Sequence, residues 1–195
     1  CFVTVNNGQD WKRFVTPYYF DQPLVKLVDN YLLFAEFYYH ARVTKINLGS
    51  GATETQSLGD FQAFDVYGGT IMDDGTIYFV VEDIFSGTQT GLYRFRFDEG
   101  STFVGLYDEL TYSYVLISSG TDLIGIGSGQ YHIFNGEEIE TYPIFGLPQE
   151  GTRKYIVASN KHLYVIVDQT NVFRSTKPLS YPQFISGSVH HTSDQ

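Results

Sequence analysis

Glu36 and Glu82 are the side chains whose placement best fits a two-carboxylate reaction centre. Glycoside cleavage uses one carboxylic acid to protonate the leaving oxygen. A second carboxylate attacks, or activates water, from across the bond. Each glutamate closely follows one of two matched apolar runs, so a repeated fold would bring both toward one rim. With 22 Asp and Glu in 195 residues, a coincidence of this kind is expected by chance. The sequence therefore assigns no catalytic residue.

Other chemistries leave fainter traces. Gly125-Ile126-Gly127-Ser128-Gly129 is glycine-rich, but it joins two strand-like runs and precedes no helix. It reads as a hairpin turn and not as a phosphate loop, which needs a helix N-terminus behind it. No Gly-x-Ser-x-Gly nucleophile elbow occurs. His40, His132 and His162 are isolated, and His190-His191 with Asp194 falls in a polar tail. Asp73-Asp74-Gly75 is a turn without the further oxygen ligands of a calcium loop. Neither a metal site nor a cofactor is expected.

Net charge bounds the partners. The chain carries −10, with Lys and Arg totalling 12 and scattered. Specific nucleic-acid binding needs clustered cations and is not expected. No run is long and apolar enough to span a membrane as a helix, so no membrane partner is expected. The single cysteine, Cys1, excludes an internal disulfide and suits manufacture in a reducing cytoplasm. A lipidated lipoprotein N-terminus is the alternative use of Cys1. Strand-like sequence from Phe2 to Val5 follows it at once, which favours a piece of a longer protein.

The elements that would position any site come from a repeat. Tyr31-Leu32-Leu33-Phe34-Ala35 aligns with Thr76-Ile77-Tyr78-Phe79-Val80, Asp122-Leu123-Ile124-Gly125-Ile126 and His162-Leu163-Tyr164-Val165-Ile166. From Leu32 through Ile77 and Leu123 to Leu163 the spacings are 45, 46 and 40 residues. Strand repeats of that period are propeller periods. The runs are almost continuously apolar, as strands buried on both faces must be. Each follows a turn signal such as Asp29-Asn30 or Asp74-Gly75 and precedes an alternating strand such as Leu92-Tyr93-Arg94-Phe95. Aromatics at 17%, with 16 Tyr and 16 Phe, also favour pleated, half-buried surfaces. No stretch carries helical periodicity.

The expected fold is therefore all-β and β-propeller-like. About four blades of antiparallel strands lie near 25–61, 63–110, 111–147 and 150–187 within a body of 15–187. Residues 1–14 form the outer half of an incomplete blade, and 188–195 a polar tail. The chain is expected to be a fragment of a larger propeller protein.

One turn motif recurs. Thr4-x-Asn6-x-Gly8-x-Asp10-Trp11 resembles the Asp-box, a Ser/Thr-x-Asp-x-Gly-x-Thr-Trp hairpin. Asp98-x-Gly100-x-Thr102-Phe103 is a second copy, with Arg96 at the hydroxyl position, and Ile133-Phe134-Asn135-Gly136 a degenerate third. Asn6 and Asp98 would cap turn amides, Gly8 and Gly100 would take positive φ, and Trp11 and Phe103 would fold over the hairpin. The resemblance implies a structural turn in a propeller. Sialidases carry such turns, and the glycan-binding or glycan-hydrolysing reading follows from that likeness. Sialidase chemistry would need an arginine cluster, a Tyr–Glu pair and an acid/base Asp. Arg13, Arg42, Arg94, Arg96, Arg153 and Arg174 are available, but Arg94 and Arg174 hold comparable third-strand places on separate blades. The Arg-Ile-Pro segment is absent.

Val172-Phe173-Arg174-Ser175-Thr176-Lys177-Pro178, followed by Tyr181-Pro182-Gln183-Phe184, resembles blades of tail-nozzle or tail-stabilisation proteins of short-tailed phages. That resemblance implies a non-enzymatic ring subunit of a virion, lining a DNA exit channel that an acidic wall keeps free of adhesion. Its partners would be proteins: copies in a ring homo-oligomer, or the remainder of a parent chain. The glycan-directed alternative implies a secreted or cell-surface bacterial protein. Phe37-Tyr38-Tyr39 and Tyr112-Ser113-Tyr114 read as fillers between blades, with protein or glycan contact as the alternative.

Overall fold

Each matched apolar run becomes the second strand of a four-stranded antiparallel meander. A computed structural model of the chain describes residues 2–3, 12–13, 24–37, 41–59, 66–82, 90–107, 115–127, 129–146, 153–157, 162–168, 171–175, 178–179 and 183–190. Among these no helix occurs. β1 (Phe2–Val3) and β2 (Lys12–Arg13) form a two-stranded antiparallel ladder. The first blade holds β3 (Leu24–Val28), β4 (Tyr31–Glu36), β5 (Arg42–Asn47) and β6 (Thr53–Ser57). The second holds β7 (Val66–Ile71), β8 (Ile77–Val81), β9 (Gly91–Arg96) and β10 (Gly100–Gly105). β11 (Val115–Ser119), β12 (Asp122–Gly127), β13 (Gln130–Phe134) and β14 (Ile139–Phe145) make the third. The fourth contains β15 (Arg153–Val157), β16 (Leu163–Val167), β17 (Asn171–Ser175) and β18 (Gln183–His190).

The first strands form the inner side of the arrangement. β3 packs on β7, β7 on β11 and β11 on β15. Sheets that repeat a meander and touch through their first strands are blades around an axis, so the chain is all-β and propeller-like. The outer edges of the last two blades also meet. β14 and β18 share a short parallel bridge, Ile144↔Gln183 and Phe145↔Phe184, which splices two meanders into one eight-stranded sheet.

A separate apolar core fills each seam. Leu33, Ala35 and Val43 of blade one meet Val66, Ile71, Ile77, Phe79 and Phe95 of blade two. Met72, Val80 and Leu92 of blade two meet Leu116, Leu123 and Phe134 of blade three. Ile124, Ile126 and Tyr131 of blade three meet Leu163, Val165 and Val167 of blade four, with Leu179 beside them. Successive residues of a strand point to opposite faces, so an all-apolar second strand serves two seams at once.

Two expectations are corrected. Gly125 and Gly127 are not turn residues but part of β12, where Gly125 pairs with Leu116 on one side and His132 on the other. His132, opposite Gly125, is 6% exposed and shares a 2.9 Å hydrogen bond with Thr141. At the other end, strand pairing runs through His190, so β18 enters the segment read as a polar tail.

The β3–β4 turn carries local strain. Asp29 has φ 50°, in the position where the β11–β12 turn uses Gly120 at φ 64°. Left-handed backbone costs an L-residue about 1 kcal/mol or more. Asp29→Gly relieves that strain but frees the unfolded chain. The net gain expected is small, about 0.5 kcal/mol, read as a higher urea midpoint with an unchanged slope.

Candidate functional site

Among the described residues, a group of polar side chains lies where the first turns of neighbouring blades meet the third turn of blade two. A cleft of about 340 Å³ lies between blades one and two, lined by Asp29, Tyr31, Lys45, Asp74, Thr76, Arg96, Phe97 and Asp98 among others. A second, of about 260 Å³, lies between blades two and three and shares Asp74, Thr76 and Arg96, adding Tyr78 and Thr121.

The β7–β8 turn builds the wall between the two clefts. Asp74 Oδ1 accepts from the Thr76 amide at 2.9 Å, and its Oδ2 accepts from the Thr76 hydroxyl at 2.9 Å. An Asp at this place closes its own turn, which is why Asp-Gly signalled one. The Thr76 hydroxyl in turn accepts from Arg96 Nε at 3.1 Å. The Arg96 guanidinium lies 3.6 Å from Asp74 and 3.6 Å from Glu99, and Arg94 reaches Glu99 at 3.1 Å. Tyr78 faces this cluster. Burial pushes its phenol above the usual value, while Arg94 and Arg96 pull the other way. The neutral phenol is thus the form held here.

Aromatic rings make the opposite wall. Lys45 Nζ lies 4.3 Å from the Tyr31 ring centre and 5.0 Å from that of Phe97. The ammonium is thereby bracketed between rings of two blades. Further polar ties cross the same seam. Gln56 donates to the Phe97 carbonyl at 3.2 Å, and the Ser101 hydroxyl donates to the Leu58 carbonyl.

Lys26 has the longest reach. It stands on β3, contacts Asp73 at 2.6 Å, donates to the Ile71 carbonyl at 2.9 Å and to Ser118 Oγ at 3.1 Å. Ser118 donates to the same carbonyl at 3.0 Å. One side chain therefore joins the first strands of three blades. Lys26→Met keeps the apolar stem and removes the charge. It is expected to lower stability by about 2 kcal/mol, the scale of a hydrogen-bonded ion that is lost. Asp73→Asn is expected to cost less than about 1 kcal/mol, because that carboxylate is 64% exposed. Thermal unfolding of the two variants measures the difference.

Glu36 and Glu82, whose spacing suits a two-carboxylate centre but is expected by chance, do not form an open one. Glu36 is 2% exposed and receives Arg42 at 3.0 Å and 3.1 Å through two guanidinium nitrogens. Its carboxylate is closed off from a rim, whereas Glu82 is half-buried. Arg42, Arg94 and Arg96 do not form an open cluster either: Arg42 holds Glu36, and Arg94 and Arg96 hold Glu99. His162 and Ser175 touch at 3.3 Å, a contact reminiscent of a base and nucleophile. Ser175 is 1% exposed, however, and its hydroxyl receives the Leu163 amide at 3.0 Å while His162 donates to the Ser175 carbonyl at 2.9 Å. The pair fastens β16 to β17 inside the protein.

The motif residues fall in different places. Asn6, Gly8 and Trp11 lie outside the described residues, between the paired strands β1 and β2. Gly100 has φ 74° and closes the β9–β10 hairpin opposite Arg96. Asp98 sits in that turn on the first cleft, but the Glu99 amide donates to the Arg96 carbonyl. Phe103 packs edge-on against Tyr93, with centroids 5.3 Å apart, and borders the core between blades one and two. Amide capping is done instead by Asn47, which accepts from Gly49 and Ser50 at 2.9 Å each. Asn135 does the same for Glu137 and Glu138 at 3.0 Å each. Asn135 was the degenerate copy. Asn47 lies outside the recurring motif, although Asn47-Leu48-Gly49 carries the composition of an Asx turn. Of the aromatic clusters, Phe37 packs against the core of the first seam and over Gly69; Tyr38, Tyr39, Tyr112 and Tyr114 lie outside the described residues. Among the described residues no group of three or more His, Cys, Asp or Glu is disposed to hold a metal ion, and no helix is long and apolar enough to cross a membrane.

No family model matches the sequence, and no curated protein matches it. Among solved structures the chain is similar to Kluyveromyces lactis Hsv2, at 12% identity and a TM-score of 0.45. The match covers 83% of this chain and spans 59% of the length of that one.

Proposed function

We propose that the chain is a non-enzymatic, structural propeller segment that works in an assembly, in the manner of a virion tail nozzle. The observation that carries this reading is that charged side chains hold elements together, within blades at Arg96 and Glu36 and between blades at Lys26. Lys26 ties three blades together, Arg96 braces the wall between two clefts, and Glu36 is closed by Arg42. Groups that an enzyme would turn toward substrate here hold one element to the next. The net charge of −10 supports the nozzle reading, since a like-charged wall lets DNA pass without adhering. Its partners are copies of the chain or further blades of a parent protein, and its location the virion.

The rival is a propeller that binds or hydrolyses glycans, as the Asp-box likeness implies. Two measurements separate them. A panel of fluorogenic glycosides, sialosides included, is expected to show no turnover, and antibodies raised against the chain are expected to label the tails of virus particles from its source. Turnover that disappears with Glu82→Gln would overturn the structural reading. Particles whose tails stay unlabelled would remove the nozzle.

A further inference from the structure

The hairpin between β13 and β14 turns on Asn135, Gly136, Glu137 and Glu138, all exposed. Asn135 Oδ1 accepts from the Glu137 and Glu138 amides at 3.0 Å each, so the side chain curls forward over its own turn. The ring that the first of these contacts closes contains both Asn135 Cγ and the Gly136 nitrogen. Among the described residues no acceptor takes the Gly136 amide, and Asn135 Nδ2 has no partner. Gly136, at φ 106°, carries no side chain to block an approach, and even a Cβ there would touch nothing within 4 Å. The two amides on Oδ1 also stand where negative charge develops when Cγ is attacked.

We propose that Asn135 is a self-modification site, where the Gly136 nitrogen displaces the side-chain amide and water completes the conversion to aspartate and isoaspartate. The Gly136 nitrogen gives up its proton and attacks Cγ. The N–Cγ bond forms, the Cγ–Nδ2 bond breaks, and ammonia leaves with that proton. Water then opens the cyclic imide, its hydroxyl going to a carbonyl carbon and its proton to nitrogen. Opening at Cγ leaves aspartate. Opening at the main-chain carbonyl leaves isoaspartate, with the backbone routed through the side chain.

Asn47 is the internal control. It carries the same cap, its Oδ1 accepting from Gly49 and Ser50 at 2.9 Å each. The nitrogen that follows it belongs to Leu48 and donates to the Asn30 carbonyl at 2.9 Å, and Leu48 packs against the core of Phe34 and Ile46. A nitrogen so engaged is not free to attack. The two products at Asn135 also differ in consequence. Aspartate keeps the acceptor and adds a negative charge beside Glu137 and Glu138. Isoaspartate displaces a turn at whose base Phe134 pairs with Ile139. Phe134 is 1% exposed in the core between blades two and three, with Ile139 packed against that cluster, so this product loosens the seam.

The test is peptide mapping of the whole folded chain by mass spectrometry after weeks at neutral pH. The peptide that holds Asn135 is expected to gain about 1 Da, ammonia lost and water added, and to contain isoaspartate. The Asn47 peptide is expected to stay unchanged. Mapping keeps both apart from Asn7-Gly8, which lies outside the described residues. Asn135→Asp should gain no mass at this position and should melt with the fresh chain, whereas the isoaspartate fraction, separated by chromatography, should melt below it. An Asn135 peptide that keeps its mass overturns the proposal. So does aspartate formed without isoaspartate, which would mean direct hydrolysis, and so does equal conversion at Asn47, which would mean that the free nitrogen is not what selects the site.

Discussion

Glu36→Ala is expected to lower the stability of the chain by about 3 kcal/mol, the scale of a buried ion pair broken on one side. The reason lies in what is left behind. Arg42 has a side chain only 14% exposed, and its Nε and Nη2 both point at Glu36 Oε2. Without that carboxylate the guanidinium keeps its desolvation and loses its compensation. For a chain of this size the melting temperature should fall by roughly 6–12 °C. Glu36→Ala combined with Arg42→Met should recover much of the loss, because removing both charges removes the unpaired one. A catalytic glutamate would behave otherwise. Its alanine variant would lose turnover while stability stayed the same or rose. Thermal unfolding of the single and double variants therefore measures the pair and also decides which role Glu36 has.

Glu36, to which the sequence assigns no role, shows where sequence stops. The repeat places Glu36 at the end of β4, and the pairing Glu36↔Arg42 follows once β4 and β5 form a hairpin. What no spacing reveals is the side of the sheet that closes over it. The same limit appears at Asn47. Its role as an amide acceptor depends on a four-residue hairpin, where blade two uses three residues and puts Arg96 in the equivalent place. Hairpin length is decided by local turn energetics of a few tenths to about 1 kcal/mol, which sequence motifs read poorly.

The architecture was legible for the opposite reason. A second strand lies between two sheet neighbours and two blade neighbours, so it must be apolar on both faces. That requirement recurs in Leu32–Ala35, Ile77–Val80, Leu123–Ile126 and Leu163–Ile166. Four copies of a strong constraint survive the scatter of individual residues. The first strands carry weaker constraints. Lys26 sits where blade two has Thr70 and blade three has Ile117, so its three-blade reach is private to one copy and leaves no periodic trace.

Phe79→Ala is expected to be the most damaging single change, at about 3–5 kcal/mol. Phe79 is 0% exposed, lies in the core of the first seam and stacks on Tyr93 at 5.6 Å, 22° from parallel. Its neighbours cannot close the resulting space cheaply. Gly69 opposite it is already so tight that an added Cβ would meet the Tyr78 carbonyl at 2.5 Å. The damage should also be local. Each seam has its own core, and a repeat whose units touch only their neighbours loses stability at the seam that is cut. Hydrogen exchange should therefore speed up in β4, β5, β8 and β9, while β12, β13, β16 and β17 keep their protection. Equal loss across all four blades would mean that the chain unfolds as one unit. The bridge from β14 to β18 and the clamp of Lys26 would then outweigh the separate cores. Repeating the exchange on Phe79→Ala with Lys26→Met distinguishes the two, because removing the clamp should restore a local response only if it is what spreads the loss.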